Sequence, residues 1–389
     1  MPYSIKMTPE DFQVEEIPVE IPVNPNGKYL ILRIRLMNWE TNHFVSYLSK
    51  VLSISRKRIT YCGTKDKRAV TTQFFCINIP GTHQFNIKDC EILESFRSDR
   101  MLSLGDLRGN RFSIRVQSDI DENIVMERYT STKEHGGFWN YFGEQRFGSV
   151  RANTDIVGKK LLKDGVEAAV REYLYDPDID LEQYRVNLGK TWDYAAGIKE
   201  YPEHLQFERA MMNSLVHEEN YALAFDTLPK NLKMMFVHAY QSRIFNRIID
   251  LRKEMMEHPE TAVTGDYVSP CDSLSNINED QIIKVDSFNL DHINRMIKSG
   301  NVSLVAPLVG YLTPEIDGIP GEIVQKALDE EDVRREDFDI PGMKEFSSTG
   351  TFRAIQFRPV DLSISDGWIR FSLGRGMYAT TLIKQIFSD

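Results

Sequence analysis

Segments with strand character lie at both ends of the chain, and segments with helical spacing lie between them. Residues 28–36, 72–79 and 110–117 are rich in β-branched and aromatic residues, and strand character returns after about residue 350. Residues 155–256 instead place apolar side chains three to four positions apart. One sheet can use both ends of the chain only if the middle leaves it and returns. The sequence therefore predicts a domain assembled from both termini, with the middle inserted into it.

The spacing of apolar residues also predicts individual elements, and Thr41 or Asn42 is expected to cap the first helix. The segment 260–298 is polar and rich in turn residues, so we expect it at the surface of the insertion. The predicted helices are residues 42–52, 155–175, 203–225, 230–256 and 378–387, and the predicted C-terminal strands are residues 351–357, 360–364 and 368–373.

Length and charge limit the class of protein. The 389 residues suffice for two domains of ordinary size, or for one domain that carries a large insertion. The net charge of −10 argues against a general polyanion binder. The charge is uneven, however: residues 50–68 contain seven bases and one acid, whereas residues 315–339 contain ten acids and three bases. Local charge should therefore decide what the chain binds, although a solvated face is the simpler interpretation of either segment alone.

The cysteines and the apolar runs point to an intracellular protein. Four cysteines show no CxxC pair and no histidine at zinc-ligand spacing, which argues against a structural zinc site and for reduced thiols. The first residues lack the apolar stretch of a signal peptide. The longest nearly apolar run, residues 304–312, is far shorter than the roughly 20 residues that span a bilayer. We expect a cytoplasmic protein that does not enter a membrane.

The most concentrated candidate for chemistry is the string YCGTKDKR at residues 61–68, a glycine-containing turn between two strand-like segments. It places Asp66 among Lys65, Lys67 and Arg68. Cations within roughly 4–6 Å favour the ionised carboxylate, so Asp66 should be a competent nucleophile or base. Taken alone, the string fits an ordinary charged hairpin turn better. It is not a phosphate-binding P-loop, because GxxxxGK[ST] is absent.

A second candidate is the string NYFGEQRFG at residues 140–148, which combines aromatics, an amide and an arginine with two glycines. Aromatic rings stack on bases and amides bond base edges, as in proteins that take a nucleotide out of its helix. The alternative is a loop whose aromatics only fill the core. Arg353, Arg375 and Lys384 add cations near glycines, where backbone could approach a phosphate chain.

Together these strings resemble the TruD family of tRNA pseudouridine synthases. The resemblance runs in order from one end of the chain to the other, and the two central strings are its most specific parts. The matching strings are KMTPEDF from residue 6, GTKDKRAVT from 63, GNRF from 109, NYFGEQRFG from 140, AYQS from 239 and YAT from 378. The resemblance implies an α+β fold: a pseudouridine-synthase catalytic domain with a mixed, largely antiparallel sheet, interrupted by a helix-rich α+β insertion (TRUD) domain. We place the catalytic domain at residues 1–150 and 350–389 and the insertion at 151–349.

The resemblance also implies site residues. Asp66 corresponds to the family's catalytic aspartate, Phe142 to its base-stacking aromatic and Asn140 to the nearby amide. Lys6 and Phe12 correspond to its N-terminal lysine and phenylalanine. Arg375 and Lys384 rank lower, because this chain has Gly374, Arg375 and Met377 where we expect a proline and a small residue before YAT. The predicted substrate-binding residues are Lys6, Phe12, Lys65, Arg68, Asn140 and Phe142.

The implied reaction is the isomerisation of uridine to pseudouridine at position 13 of the tRNA D arm, by a monomer that needs neither metal nor cofactor. The residues leave open whether Asp66 attacks C1′ of the sugar, attacks C6 of the base or removes the 2′ proton. An RNA-binding module or tRNA chaperone without chemistry is the alternative function. A nucleotide hydrolase is a third and weaker one, because it would need metal-clustered carboxylates, and the acidic residues 329–332 are better interpreted as a solvated helix or loop.

Overall fold

Strands from both ends of the chain form one sheet, as the sequence predicts. The computed structural model describes residues 3–65, 67–81, 85–148 and 150–388. The strands are β1 (Tyr3–Ser4), β2 (Phe12–Pro18), β3 (Tyr29–Met37), β4 (Ile59–Tyr61), β5 (Val70–Ile77), β6 (Cys90–Ser98), β7 (Leu107–Arg115), β8 (Gln117–Ser118), β9 (Phe138–Trp139), β10 (Tyr267–Pro270), β11 (Ile283–Lys284), β12 (Val302–Leu308), β13 (Thr351–Ala354), β14 (Gln356–Phe357), β15 (Val360–Ser365) and β16 (Trp368–Gly374). The helices are α1 (Thr41–Val51), α2 (Glu122–Glu134), α3 (Thr154–Lys163), α4 (Val166–Leu174), α5 (Gln183–Thr191), α6 (Tyr194–Glu200), α7 (Gln206–His217), α8 (Tyr221–Asp226), α9 (Lys230–Met255), α10 (Leu290–Ser299), α11 (Gly318–Glu330) and α12 (Ala379–Phe387). Short 3-10 turns cover Pro9–Asp11, Arg56–Arg58, Glu144–Arg146, Arg335–Phe338 and Lys344–Phe346.

The central sheet has the strand order β15-β16-β7-β2-β5-β3-β6, with β4 paired to β5 outside this path. Strands β2 and β5 are parallel, and the other pairs are antiparallel. The α+β fold with a mixed, largely antiparallel sheet is therefore confirmed.

Alternation along β3 explains how helix α1 is held against the sheet. Leu32 and Ile34 point to one face, where they pack with Phe44 and Leu48 of α1. Complete burial of such a side chain stabilises the fold by about 1.5–3 kcal/mol. The helix cap is Glu40 and not Thr41 or Asn42. The Glu40 carboxylate accepts hydrogen bonds from the backbone N–H groups of Asn42 and His43, both at 2.9 Å. Helices α2 and α12 contribute to a second cluster, with side chains of β7 and β16.

The inserted part is richer in helices than the sequence pattern predicts. The predicted helix over residues 155–175 is two helices, α3 and α4, because Gly165 between them adopts φ +87°. The predicted helix over residues 203–225 is likewise divided into α7 and α8, and helices α5 and α6 have no counterpart among the predictions. In α3, a Cβ on Gly158 would lie 2.2 Å from the Phe236 carbonyl oxygen, so this glycine lets α3 approach α9 closely.

A second sheet of order β11-β10-β12-β13 lies in the inserted part, and its last strand comes from the returning chain. The predicted strand over residues 351–357 is two short strands. Strand β13 pairs with β12 of the insertion, whereas β14 pairs with β9 before the insertion begins. The domain division at residues 150 and 350 stays a prediction. Strand β13 follows residue 350 in the sequence, but it pairs with β12 of the inserted part.

Three of the four acidic residues 329–332 are exposed, as expected of a solvated helix or loop, and Glu331 is the exception. Glu331 is buried and pairs with Lys159 at 2.8 Å and with Arg243 at 2.9 Å. Arg243 also reaches Asp155 at 3.1 Å. These ion pairs tie the end of α11 to α3 and α9. Among the helices of the described residues, none combines the length and the apolar composition that crossing a membrane requires.

Candidate active site

The turn between β4 and β5 is held from below by a buried ion pair. The predicted catalytic Asp66 lies outside the described residues, between two that the structure places. Lys65 donates from its Nζ to Glu16 Oε1 at 2.6 Å and from its backbone N–H to Thr41 Oγ1 at 2.8 Å. The Glu16 carboxylate is fully buried and also accepts from the Phe74 N–H at 2.9 Å. The base of the turn is therefore fixed by β2, β5 and α1.

The electrostatics of that pair explain why Lys65 points inward. Burial raises the pKa of Glu16, while the Lys65 ammonium and the Phe74 N–H act in the opposite direction. The Lys65 side chain is only 9% exposed. Substrate binding by Lys65 stays a prediction. In this structure the Lys65 ammonium group is paired with the Glu16 carboxylate.

The N-terminal segment brings Lys6 and Phe12 together and lies against the same turn. Lys6 adopts φ +59° and places its Nζ 4.0 Å from the centroid of the Phe12 ring. Arg68 donates from Nη2 to the Met7 carbonyl at 3.0 Å while its side chain stays exposed. The structure thus groups Lys6, Phe12 and Arg68 around the loop that contains the predicted carboxylate.

Both polar atoms of the Asn140 amide form hydrogen bonds within the protein. Its Nδ2 donates to the Ala354 carbonyl at 2.9 Å, and its Oδ1 accepts from Arg353 Nη2 at 2.7 Å. Asn140 is only 2% exposed. Its geometry makes it a link that orients Arg353, and direct substrate binding by Asn140 stays a prediction.

Phe142 lies among cations and aromatic rings. The Arg353 guanidinium carbon is 4.1 Å from the Phe142 ring centroid, and the Arg146 guanidinium carbon is 5.5 Å from it. Tyr378 and Phe245 meet the ring edge-on at centroid distances of 6.0 and 5.6 Å. The ring is 9% exposed, so a base would meet it only along the part that these neighbours leave open.

Two different buried clusters contain the residues next to the turn and Phe142. Phe12 and Ala69, next to the turn, belong to the same buried cluster as Ala379. Tyr378, the residue before Ala379, is packed against the core cluster that contains Phe142. Consecutive residues at the start of α12 therefore contribute to the packing of both clusters.

Comparisons with known proteins identify the family of this chain. The model of the family tRNA pseudouridine synthase D (TruD) matches residues 2–386. The chain belongs to the TruD family. A protein of Picrophilus torridus named "Probable tRNA pseudouridine synthase D" is 44% identical over 98% of this chain and 93% of its own length. A Thermoplasma acidophilum protein of the same name is 44% identical over 98% and 92%. A crystal structure of a TruD candidate from Methanosarcina mazei is similar at a TM-score of 0.80 and 36% identity, and covers 99% of this chain and 93% of that one.

Arg353 is the residue of this TruD site that sequence reasoning undervalued. It occurs in the sequence as one cation near glycines, and only the pairing of β13 with β12 and the contacts of Asn140 show its environment. Burial lowers the pKa of Arg353 to about 10, and the charge of Arg146 contributes in the same direction. Among the described residues no carboxylate pairs with Arg353.

The lower-ranked C-terminal cations form surface ion pairs. Arg375 lies 3.4 Å from Glu279, and Lys384 lies 3.4 Å from Glu144. Both pairs are at least half exposed, so each stabilises the fold by at most about 1 kcal/mol.

The basic strip of residues 50–68 includes the turn and the residues that precede it. Arg56 donates to Asn42 Oδ1 at 2.8 Å, and Tyr61 donates to the same oxygen at 2.8 Å. Lys57 and Arg58 remain exposed. Within the described ranges, no group of three or more potential ligands could hold a metal ion.

Proposed function

We propose that this chain isomerises uridine to pseudouridine at position 13 of the tRNA D arm, with Asp66 as the catalytic carboxylate. The observation that carries the proposal is the match to the TruD family over nearly the whole chain, together with the strings around residues 66 and 142. The proposed partner is tRNA. The cytoplasmic location and the monomeric state belong to the same proposal.

The reaction breaks the N1–C1′ bond, turns the base and joins C1′ to C5. The C5–H bond then breaks and its proton goes to solvent, while N1 takes up a proton, so the atoms balance. The overall change is an isomerisation, so one positioned carboxylate can begin it without an energy source. Asp66 would attack C1′, attack C6 or remove the 2′ proton, and each route needs the ionised acid. Lys67 and Arg68 next to it in the sequence favour that charge state.

The fixed base of the turn supports positioning. Lys65, which precedes Asp66 in the sequence, is held by Glu16 and Thr41. Correct placement of a catalytic group over its target accounts for a large part of many rate enhancements. Phe142 would restrain the freed base while it turns, and Lys6 and Phe12 would line the opposite side of the pocket.

Binding must also offset the cost of taking the uridine out of its stack, which is a few kcal/mol. Exposed Lys57, Arg58 and Arg68 lie where RNA phosphates would approach the turn. Contacts between these cations and phosphates release counterions, so binding should weaken as salt increases.

The test uses tRNA labelled with tritium at uridine C5. Asp66→Asn should retain tRNA binding and lower tritium release at least about a hundredfold, because the amide is neither base nor nucleophile. The matched control is Asp361→Asn, an exposed aspartate on β15 whose replacement should leave release unchanged.

Equal release by Asp66→Asn and wild type would exclude the catalytic role of Asp66. If neither protein releases tritium although both bind tRNA, the result favours the RNA-binding module or chaperone.

A further inference from the structure

The Arg353 guanidinium has N–H donors without an acceptor among the described residues. Nη2 donates to Asn140 Oδ1 at 2.7 Å and to the Gly376 carbonyl at 2.9 Å. Nε is buried and has no hydrogen-bond partner, and Nη1 donates to no acceptor among the described residues. A guanidinium has five N–H donors, so a large part of this group is unpaired.

Three arginines with little exposed side chain are paired with acids in this chain. Arg185 lies 2.9 Å from Glu208, Arg252 lies 2.7 Å from Asp266, and Arg151 lies 2.6 Å from Asp180. An uncompensated buried charge costs several kcal/mol, which is why such groups have partners in folded proteins. Among the described residues, the half-buried Arg353 has no carboxylate partner.

A second cation makes the lack of negative charge larger. Arg146 lies against the same Phe142 ring, and its Nε donates to Ser242 Oγ at 3.0 Å. No acid of the described chain lies within ion-pair distance of Arg146. Burial lowers the pKa of Arg146 as well. Two arginines on one ring repel each other, and an anion between or beside them would remove that repulsion.

A cavity of about 160 Å³ adjoins Arg353. Its lining includes Asn140, Phe352, Arg375 and the acid Glu279, whose carboxylate lies 3.4 Å from Arg375 and is therefore already paired. The cavity is smaller than the ~300–1,000 Å³ of a typical small-molecule pocket, which suits one chemical group of a larger ligand. Its walls come from the inserted part, from β13 and from the turn before α12.

We propose that Arg353, assisted by Arg146, binds a backbone phosphate of the RNA next to the target uridine; this inference rests on the proposed function. The planar fork of an arginine binds two phosphate oxygens at once, which fixes the orientation of the phosphate. Asn140 and Phe142 hold Arg353 in place, through Nη2 and through the ring face. The phosphate contact would fix the ribose of the everted nucleotide relative to the turn at residue 66.

The test measures the affinity for an unmodified tRNA transcript from about 50 to about 200 mM salt. Arg353→Gln should weaken binding about ten- to a hundredfold at low salt. It should also reduce the magnitude of the slope of log K against log salt by about 0.7–0.9, the value for one phosphate contact. Arg353→Lys should keep the slope and lose only part of the affinity. Arg370→Gln, an exposed arginine on β16, is the control and should change affinity less than about threefold.

A slope for Arg353→Gln that equals the wild-type slope overturns the phosphate site, and if the unfolding temperature falls at the same time, the role of Arg353 is structural. If Arg353→Gln does not fold, Arg146→Gln decides: the site is overturned if that variant binds tRNA with the wild-type affinity and the wild-type slope. Failure of the proposed function is a separate result. Wild-type protein that releases no tritium while Arg353→Gln still lowers the slope refutes the reaction and keeps the phosphate site.

Discussion

Arginines that are buried or half-buried occur in two regions of this molecule and have different partners. In the inserted part, Arg185 and Arg252 meet carboxylates that are themselves buried. At the candidate active site, Arg146 and Arg353 lie on the Phe142 ring with no acid of the described chain beside them. Arginines that form ion pairs with acids of the protein stabilise the fold, whereas arginines without an acidic partner are available to bind an anionic ligand.

Arg358 shows that a missing carboxylate alone does not indicate a ligand. Its Nε is also buried and unpaired, but Nη2 donates to the Ile297 carbonyl at 3.0 Å, at the end of α10. The C-terminal end of a helix carries partial negative charge, which favours a cation there. Arg353 has no helix end beside it in the described contacts, and it does have a second arginine and a cavity.

The largest effect should follow from breaking a closed pair in the inserted part. Arg252→Met leaves Asp266 buried without its cation, so we expect the free energy of unfolding to fall by about 3–5 kcal/mol. Urea unfolding at neutral pH measures this change. Arg353→Met should lower the free energy of unfolding by no more than about 1 kcal/mol, because removal of a charge without an acidic partner offsets the lost hydrogen bonds. Equal losses in the two variants would contradict the contrast between the regions.

A control for that experiment removes the stranded acid together with its partner. Asp266 accepts from two arginine nitrogens and from the Val263 N–H at 2.9 Å. The double variant Arg252→Met, Asp266→Leu should recover part of the loss, since apolar replacement of a whole buried pair is often nearly neutral.

The pair beneath the turn should behave like the closed pairs, with a smaller effect. Lys65→Met should lower the free energy of unfolding by about 2–3 kcal/mol, less than Arg252→Met, because Glu16 keeps the Phe74 N–H and can take up a proton. The same variant should leave the salt slope of tRNA binding unchanged, since the Lys65 charge is already neutralised. A reduced slope with unchanged stability would instead assign Lys65 to the substrate.

How far the sequence predicted this molecule depends on the range of the interactions. Strands β3, β5, β7, β15 and β16 of the central sheet and helix α1 were predicted within a few residues, because alternation and helical spacing are local. Strands β2, β4 and β6 were not among the predictions. The division of residues 155–175 was not predicted, although Gly165 was the local signal for it. Helices α5 and α6 are short, and their apolar pattern is weak.

The site was predictable in its strings and not in its contacts. The strings around residues 66 and 142 identified the family, but the inward turn of Lys65 depends on Glu16, 49 residues away. Arg353 meets Asn140 across 213 residues of chain, through strand pairings that no local pattern encodes. Contacts of that kind follow from topology, which a single sequence does not give.

The smallest predicted effect concerns Glu172 of helix α4, an acid of the inserted part whose Oε1 has no hydrogen-bond partner among the described residues. Burial raises the pKa of Glu172 to about 8, and the neighbouring Asp176 adds to the shift. Its Oε1 is buried without a hydrogen-bond partner. The folded protein therefore holds a proton up to about pH 8 that the unfolded chain releases above its ordinary pKa of 4.5.

The direction of the pH effect follows from this proton. Because the folded state binds more protons than the unfolded state between about pH 4.5 and 8, the stability of the wild type falls as pH rises through that window. Glu172→Gln cannot release a proton, so it should gain stability relative to wild type at pH 8 compared with pH 5. Thermal unfolding at the two pH values measures the gain. Glu167→Gln, which removes an exposed carboxylate of the same helix, should show no such gain. If both variants follow the wild-type pH profile, Glu172 is ionised in the folded protein, and the inserted part contains no uncompensated acid at this position to set against the open arginines of the site.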